Sequence, residues 1–274
     1  MSVQITTAFV EQYKSNVFHL AQQKGSRLRD AVRTETITGK SHFFERIGAT
    51  AASKRTSRHS DTPRMDTPHS RRKVSMEDYD WADLIDQEDK VRMLISPQSE
   101  YAMAGAWAMG RAMDDAIVAA ATGTAYGGVA GGTSVSLASG QKVAHGSANL
   151  TIAKLLDAKK ILDGSDVDPE EEKYLVCTAN QLHDFLNITE VKSSDYNSIK
   201  ALVQGEVDTY LEFKFIRSER LGTDSSSNRQ VLAFCKSAIG LAVGADVTTK
   251  ISERADKNYA TQVFLSMTIG ATRI

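Results

Sequence analysis

The sequence predicts an α+β fold, and three observations carry that expectation. Residues 96–123 form a long helix-periodic run, residues 149–250 mix a second helix with short alternating segments, and the last 16 residues alternate with period two.

From the N-terminus, Phe9, Tyr13, Val17, Phe18, Leu20 and Ala21 recur at three- and four-residue steps, which predicts a helix over the first 25 residues, stopped by Gly25. Its single apolar stripe needs a surface to lie on. Residues 28–47 read as strand, with Val32, Thr34, Thr36 and then HFFERI around a Gly39 turn. The next stretch, residues 49–75, holds two of the four prolines and few large apolar side chains. Alone it cannot bury enough area to offset its ordering entropy, so it is either disordered or held by a partner.

Within SPQSEYAMAGAWAMGRAMDDAIVAAATG, Ser96 suits an N-cap, Pro97 the first turn, Glu100 the positive helix end and Gly123 the stop. About 26 residues at about 1.5 Å each give a rod of about 39 Å. Gly105, Ala108, Ala112, Ala116 and Ala119 form a small-residue face able to lie close to another backbone, opposite Met103, Trp107, Met109 and Met113. Seven of the 18 glycines follow in residues 123–146, which predicts turns and a short hairpin around Val135 and Leu137. A helix over 149–162 points Ile152, Leu155, Leu156 and Ile161 inward and stops at Gly164. The strand YLVCT, a helix over ANQLHDFLN, a short helix over SIKALVQ and a strand over VDTYLEFKFIRS come next. In the closing strand Val263, Leu265, Met267 and Ile269 share the buried side.

Composition excludes several classes. With 274 residues and 41% hydrophobic content a packed core is available, in one large domain or two intermediate ones. Cys177 and Cys235 make no disulfide framework, so they read as buried free thiols in a reducing cytosol. No secretory signal opens the chain, and Arg111, Asp114 and Asp115 interrupt its least polar run, so a membrane-spanning helix is not expected. The net charge of −1 conceals a separation: residues 1–75 hold 14 Lys or Arg against 6 Asp or Glu, while residues 76–90 hold seven acids and one base. Such segregation suggests complementary surfaces, within the chain or between copies.

No motif assembles a reactive centre. TITGKS has Thr34 where a phosphate-binding loop needs its first glycine, and GTAYGGVAGG misses the dinucleotide fingerprint. The six histidines have no metal spacing, and the loop LDGSDVDPEEE lacks the order and central glycine of a calcium loop, so it reads as solvated. Asp114 and Asp115 are about 100° apart on the helix, and Arg111 is expected to pair with them. The basic stretch 54–73 has no aromatic other than His59 and His69, so its contact with nucleic acid would be to phosphates and without sequence specificity.

The segments SDTPHSRRKVSMEDYDWADLIDQEDKVRMLISPQSEYAMAGAWAMGRAMDDAIVAAATGTAYGG, ITEVKSSDYNSIKALVQGEVDTYLEFKFIRSERL and KSAIGLAVGADVTTKISERADKNYATQVFLSMTIGATRI resemble the major capsid protein of tailed bacteriophages. That fold is shared with encapsulin shells, which look similar in architecture alone. The resemblance implies an N-terminal arm over residues 1–33, an extended β-hairpin loop over 34–80, a peripheral domain from 81–148 plus 255–274 with a spine helix at about 97–122, and an axial domain over 149–254. It implies a structural protein, neither enzyme nor cofactor binder, that self-assembles as hexamers and pentamers into an icosahedral virion shell enclosing double-stranded DNA. Assembly would take place in the host cytoplasm. Implied partners are other copies, a separate scaffolding protein (the chain leaves no room for a scaffolding segment of its own), a portal at one vertex, a cement protein in some relatives, and DNA held by non-specific contact. Some relatives cross-link Lys to Asn; Lys40, Lys54 and Lys73 are available. A protein compartment around enzyme cargo is the alternative, and an α+β enzyme the third reading. The stretch HSRRKVSMEDYDWADLID then reads as two halves of one contact: Arg71, Arg72 and Lys73 of one copy meeting Asp78, Asp80, Asp83 or Asp86 of the next, or else the loop folding back on its own acids.

Overall fold

A computed structural model describes residues 22–58, 61–62, 64–86, 98–165, 167–188 and 209–274. The helix expected over residues 1–25, apart from its end, and the SIKALVQ helix lie outside the described residues, as do Ser96 and Pro97. In chain order the elements are β1 (Arg33–Thr36), β2 (Ser41–Ile47), β3 (His69–Ser75), β4 (Glu77–Ile85), α1 (Gln98–Thr122), β5 (Ala125–Gly127), β6 (Thr133–Val135), α2 (Ile152–Asp163), β7 (Lys173–Cys177), α3 (Ala179–Leu186), β8 (Thr209–Tyr210), β9 (Phe213–Arg217), β10 (Leu232–Cys235), β11 (Ile239–Arg254) and β12 (Ala260–Arg273). The mixture is α+β, built on three four-stranded sheets ordered β1-β11-β12-β4, β10-β7-β9-β8 and β2-β3-β5-β6.

The first sheet is dominated by the long β11–β12 hairpin, with β4 antiparallel to β12 and β1 parallel to β11. The alternation expected in β12 is present: Val263, Leu265, Met267 and Ile269 are all buried, facing α1. Each such side chain contributes about 1.5–3 kcal/mol by leaving water. The helix turns a different face inward from the one its small residues suggest. Gly105, Met109, Met113 and Ile117 are buried, Ala112 and Ala116 reach only the rim of the core, and Ala119 is exposed. Methionines adapt to the uneven surface of β12, whereas alanines are too short to fill it. One small residue does allow close approach: a Cβ at Gly105 would lie 2.7 Å from both Leu265 and Trp81.

The second sheet carries α2 and α3 over Leu150, Leu155, Leu175, Phe185 and Phe213. Thr151 caps α2 and a Thr178–Gln181 capping box starts α3. Leu156, expected inward, is 49% exposed because Leu155 occupies the core-facing position. The strand expected over VDTYLEFKFIRS is a hairpin instead. Leu211 and Glu212, with φ of 51° and 70°, turn β8 back on β9. Cys177 and Cys235 are buried and unbonded, and burial pushes the Cys177 thiol up to about 11.

The third sheet joins β2 and β3 to the short strands β5 and β6. β2 and β3 pair antiparallel from Ser41↔Ser75 to Ile47↔His69, and β3 continues onto β5 through Arg72↔Gly127 and Lys73↔Tyr126. Residues 69–75, which looked unable to fold unaided, therefore gain strand partners on both sides. Phe44 and Val74 pack with Ile37 and Ala242 onto the first sheet where two glycines leave room. A Cβ at Gly240 would meet the Phe44 ring at 2.6 Å, and one at Gly270 would strike the Ser75 carbonyl and approach Val74 at 2.9 Å. Between β2 and β3 the described residues have no regular structure and are all exposed. The β5–β6 turn fits the glycine-rich expectation, with Gly128 and Gly131 at positive φ, although Leu137 lies beyond β6.

Gly270→Ala is expected to lower stability by about 1–3 kcal/mol in denaturant titrations, since backbone must shift, while Gly140→Ala, with nothing within 4 Å, changes it by less than about 0.5 kcal/mol. At pH 8 neither thiol is expected to react with an aromatic disulfide reagent until the chain is unfolded, when both react.

Candidate assembly surface

Asp114 sets where residues 23–28 meet the rest of the fold. Its carboxylate is fully buried on α1. It accepts hydrogen bonds from Gln23 Nε2 (2.5 Å), Ser26 Oγ (2.6 Å) and the backbone amides of Arg27 and Leu28 (3.1 Å each). Gly25, at φ +80°, crosses the helix at Gly110, where a Cβ would sit 2.6 Å from the Ser26 nitrogen. Arg111 donates to the Gln22 side chain (3.0 Å) and the Gln23 carbonyl (3.2 Å), and Lys24 lies over the Trp107 ring. The expected pairing of Arg111 with Asp114 and Asp115 is therefore not what forms: Asp114 holds the Gln23–Leu28 turn, and Asp115 makes a bidentate pair with Arg220. Only a turn brought from 86–91 positions away could supply Asp114 with those donors.

The basic and acidic halves of HSRRKVSMEDYDWADLID fall on different sheets. Arg71, Arg72 and Lys73 are half-buried on β3, whereas Asp78, Asp80 and Asp83 lie on β4, an edge strand of the first sheet, and Asp86 just beyond it. Among the described residues no ion pair joins the two sets. Arg71 pairs with Glu45 across the hairpin at 2.8 Å and stacks 5.0 Å from the Phe43 ring centroid. Lys73 lies along Gly131. Arg72 faces the opposite way, beside Phe44; burial first, then repulsion from Arg46 and Arg273, lower its pKa. Asp78 accepts from Thr268 Oγ1 at 2.7 Å, and Asp83 accepts from the Leu84 amide at 2.8 Å.

Other charged groups serve the fold. Arg273 closes the C-terminal end of α1, donating to the carbonyls of Ala121 (3.2 Å), Gly123 (2.9 Å) and Val135 (2.9 Å). Lys173 is buried between Asp163 (2.9 Å) and Glu212 (3.1 Å), whose hydrogen bonds outweigh desolvation and raise its pKa. The loop expected to be solvated is thus partly tied down. Glu172 also holds Lys214 and Tyr174, and together with burial it pushes the Tyr174 hydroxyl up to about 12. Among the described residues no group of three or more His, Cys, Asp or Glu could hold a metal, and no helix is long and apolar enough to cross a membrane. Gly39 turns β1 into β2 with no helix after it, so TITGKS forms no phosphate-binding loop.

The model of a family described as phage capsid protein matches residues 5–274. The chain belongs to the phage capsid protein family. Solved structures give this capsid protein the same fold. The capsid of cyanophage P-SCSP1u superposes with a TM-score of 0.71 at 18% identity, covering 98% of this chain and 91% of that one. The capsid of Ralstonia phage GP4 gives 0.70 at 8% identity, covering 97% and 91%. A Mycobacterium phage Che8 chain gives 0.66 at 15% identity, covering 97% and 94%. No curated protein matches the capsid protein. The resemblance to tailed-phage major capsid proteins is borne out in family and in fold.

Asp114→Ala removes the acceptor shared by the Gln23–Leu28 turn and leaves the buried Leu28 amide without a partner. It is expected to cost about 2–4 kcal/mol in equilibrium unfolding and to open residues 22–31 to limited proteolysis, whereas Arg220→Ala, which removes a half-exposed pair, costs about 0–1 kcal/mol.

Proposed function

We propose that this capsid protein self-assembles as pentamers and hexamers into an icosahedral head that encloses double-stranded DNA. The observation that carries the reading is the loop between β2 and β3. Its described residues, 48–58, 61–62 and 64–68, are all exposed, and the third sheet's core is only Ile37, Phe44, Val74 and Ala242. A projection of that length cannot bury enough apolar area by itself and gains order from a surface outside its own chain. In a shell that surface is a neighbouring copy.

In this reading residues 1–33 are the arm, 34–80 the extended loop, 81–148 with 255–274 the peripheral domain around the spine helix, and 149–254 the axial domain around the capsomer axis. The second sheet, β10-β7-β9-β8, falls wholly within residues 149–254 and supports the axial unit. The loop of one copy lies over the next, bringing Arg71, Arg72 and Lys73 to the acidic strand that carries Asp78, Asp80, Asp83 and Asp86. Assembly takes place in the host cytoplasm, with a separate scaffolding protein, a portal at one vertex and, outside the shell, a cement protein. DNA meets the inner wall through its phosphates alone.

Electron micrographs of particles purified from cells expressing the chain, with nucleic-acid analysis of their content, test the reading. Closed shells of five- and six-fold capsomers are expected; enclosed enzyme in place of DNA would make the shell a protein compartment, and a small oligomer by light scattering would remove both. Each exposed ion pair is worth only about 0–1 kcal/mol, but every copy repeats it. Arg71→Glu with Arg72→Glu is therefore expected to reduce particle yield sharply, and normal particles would remove the basic strand from the contact.

A further inference from the structure

The strand register divides the charged residues of the loop in a way their order along the chain does not reveal. Side chains alternate along β2 and β3, so Glu45 and Arg71, directly opposite each other, satisfy one another on one face. Arg72 is opposite Phe44, and Arg46 is two residues further along β2, so these two guanidiniums share the other face, the one that packs toward the first sheet. Neither has an ion pair among the described residues. Arg273 lies close enough to repel Arg72, but its own donors go to backbone carbonyls, two at the end of α1 and one on β6. Two half-buried cations thus stand side by side without an anion.

The acids divide likewise. Tyr79 and Trp81 of β4 turn toward the core, so Asp78 and Asp80 project together from the exposed side, while Asp83 is turned away and accepts from the Leu84 amide. One Asp78 oxygen takes the Thr268 hydroxyl, and neither Asp78 nor Asp80 has an ion pair among the described residues. Residues two apart on a strand are separated by about 7 Å. Diagonal cross-strand neighbours such as Arg46 and Arg72 are about 7–8 Å apart. The two unmatched pairs therefore have the same pitch.

We infer that Arg46 and Arg72 of one copy form a two-guanidinium clamp that takes the Asp78 and Asp80 carboxylates of a neighbouring copy. The inference rests on the shell reading and refines it, adding Arg46, which its order along the chain did not single out, and assigning Arg71 to the loop's internal structure. The occupant is a second copy because that copy carries the complementary acid pair at matching pitch, on a strand that is an edge among the described residues. Such a contact joins unlike patches and repeats head to tail, the kind that closes into rings.

Charge exchange in the full-length chain tests it. Arg46→Glu with Arg72→Glu, and separately Asp78→Arg with Asp80→Arg, are each expected to lower the yield of sedimenting particles about tenfold. The quadruple exchange, which restores opposite charges with reversed polarity, is expected to recover yield to within about twofold of wild type. Normal particles from either double variant would overturn the clamp. So would a quadruple variant that still fails to assemble while its subunits unfold cooperatively. As a check independent of drastic substitutions, Arg46→Gln with Arg72→Gln should flatten the salt dependence of assembly; an unchanged dependence overturns the clamp. Wild-type chains that form no particles would instead remove the shell reading itself.

Discussion

A buried carboxylate must be met by donors in fixed places, and this requirement at Asp114 organises the start of the fold. The donors come from one tight turn, Gln23 to Leu28, so the turn can sit in one place only on α1. Gly110 and Gly25 let the two backbones meet there. From that point the chain is committed: Leu28, Ala31 and Val32 enter the main core, β1 joins β11 in parallel, and the turn at Gly39 directs β2 onto the Gly240 side of the hairpin. The position from which the extended loop leaves is thus fixed by a polar contact on a helix remote from it in sequence.

Among the described residues, the β2–β3 segment is held at its base. Phe44 and Val74 pack against the first sheet because Gly240 and Gly270 carry no side chains, and β5 adds two register pairs. Burying two such residues contributes about 3–6 kcal/mol in all, enough to order a short hairpin base but not some 20 further residues that each cost about 1–2 kcal/mol of backbone entropy.

Periodicity made the long elements legible. The alternation of Val263, Leu265, Met267 and Ile269 located β12, and the run ending at Gly123 located α1, because both patterns are set by a core each element must bury. The rotation of α1 was not legible. It depends on the shape of β12 beneath it, where Met109 and Met113 fit better than the alanines. β3 was obscured by its Ser and Arg content, since a strand of that composition is stable only when both neighbouring strands are present. The β8–β9 turn lacks the Asn-Gly signal that would have announced it, using Leu211 and Glu212, the latter held by Lys159 and Lys173. Asp114 was misassigned to Arg111 because helix spacing favours neighbours three or four residues away, and nothing local shows that a distant turn offers better geometry.

Charge placement favours one mode of association and opposes another. β4 is a nine-residue edge strand, and an edge of that length left uncharged would pair with the same edge of another copy. Glu77, Asp78, Asp80 and Asp83 prevent that, since two such edges would bring like charges together. The same acids leave the strand attractive to a basic surface, and the only described strand pair rich in unmatched cations is β2–β3. Edge-to-edge pairing would produce a two-fold dimer that stops growing, whereas edge-to-loop contact leaves each copy with one used and one unused patch of each kind. A net charge near zero thus conceals a strong separation of charge between β4 and the β2–β3 pair.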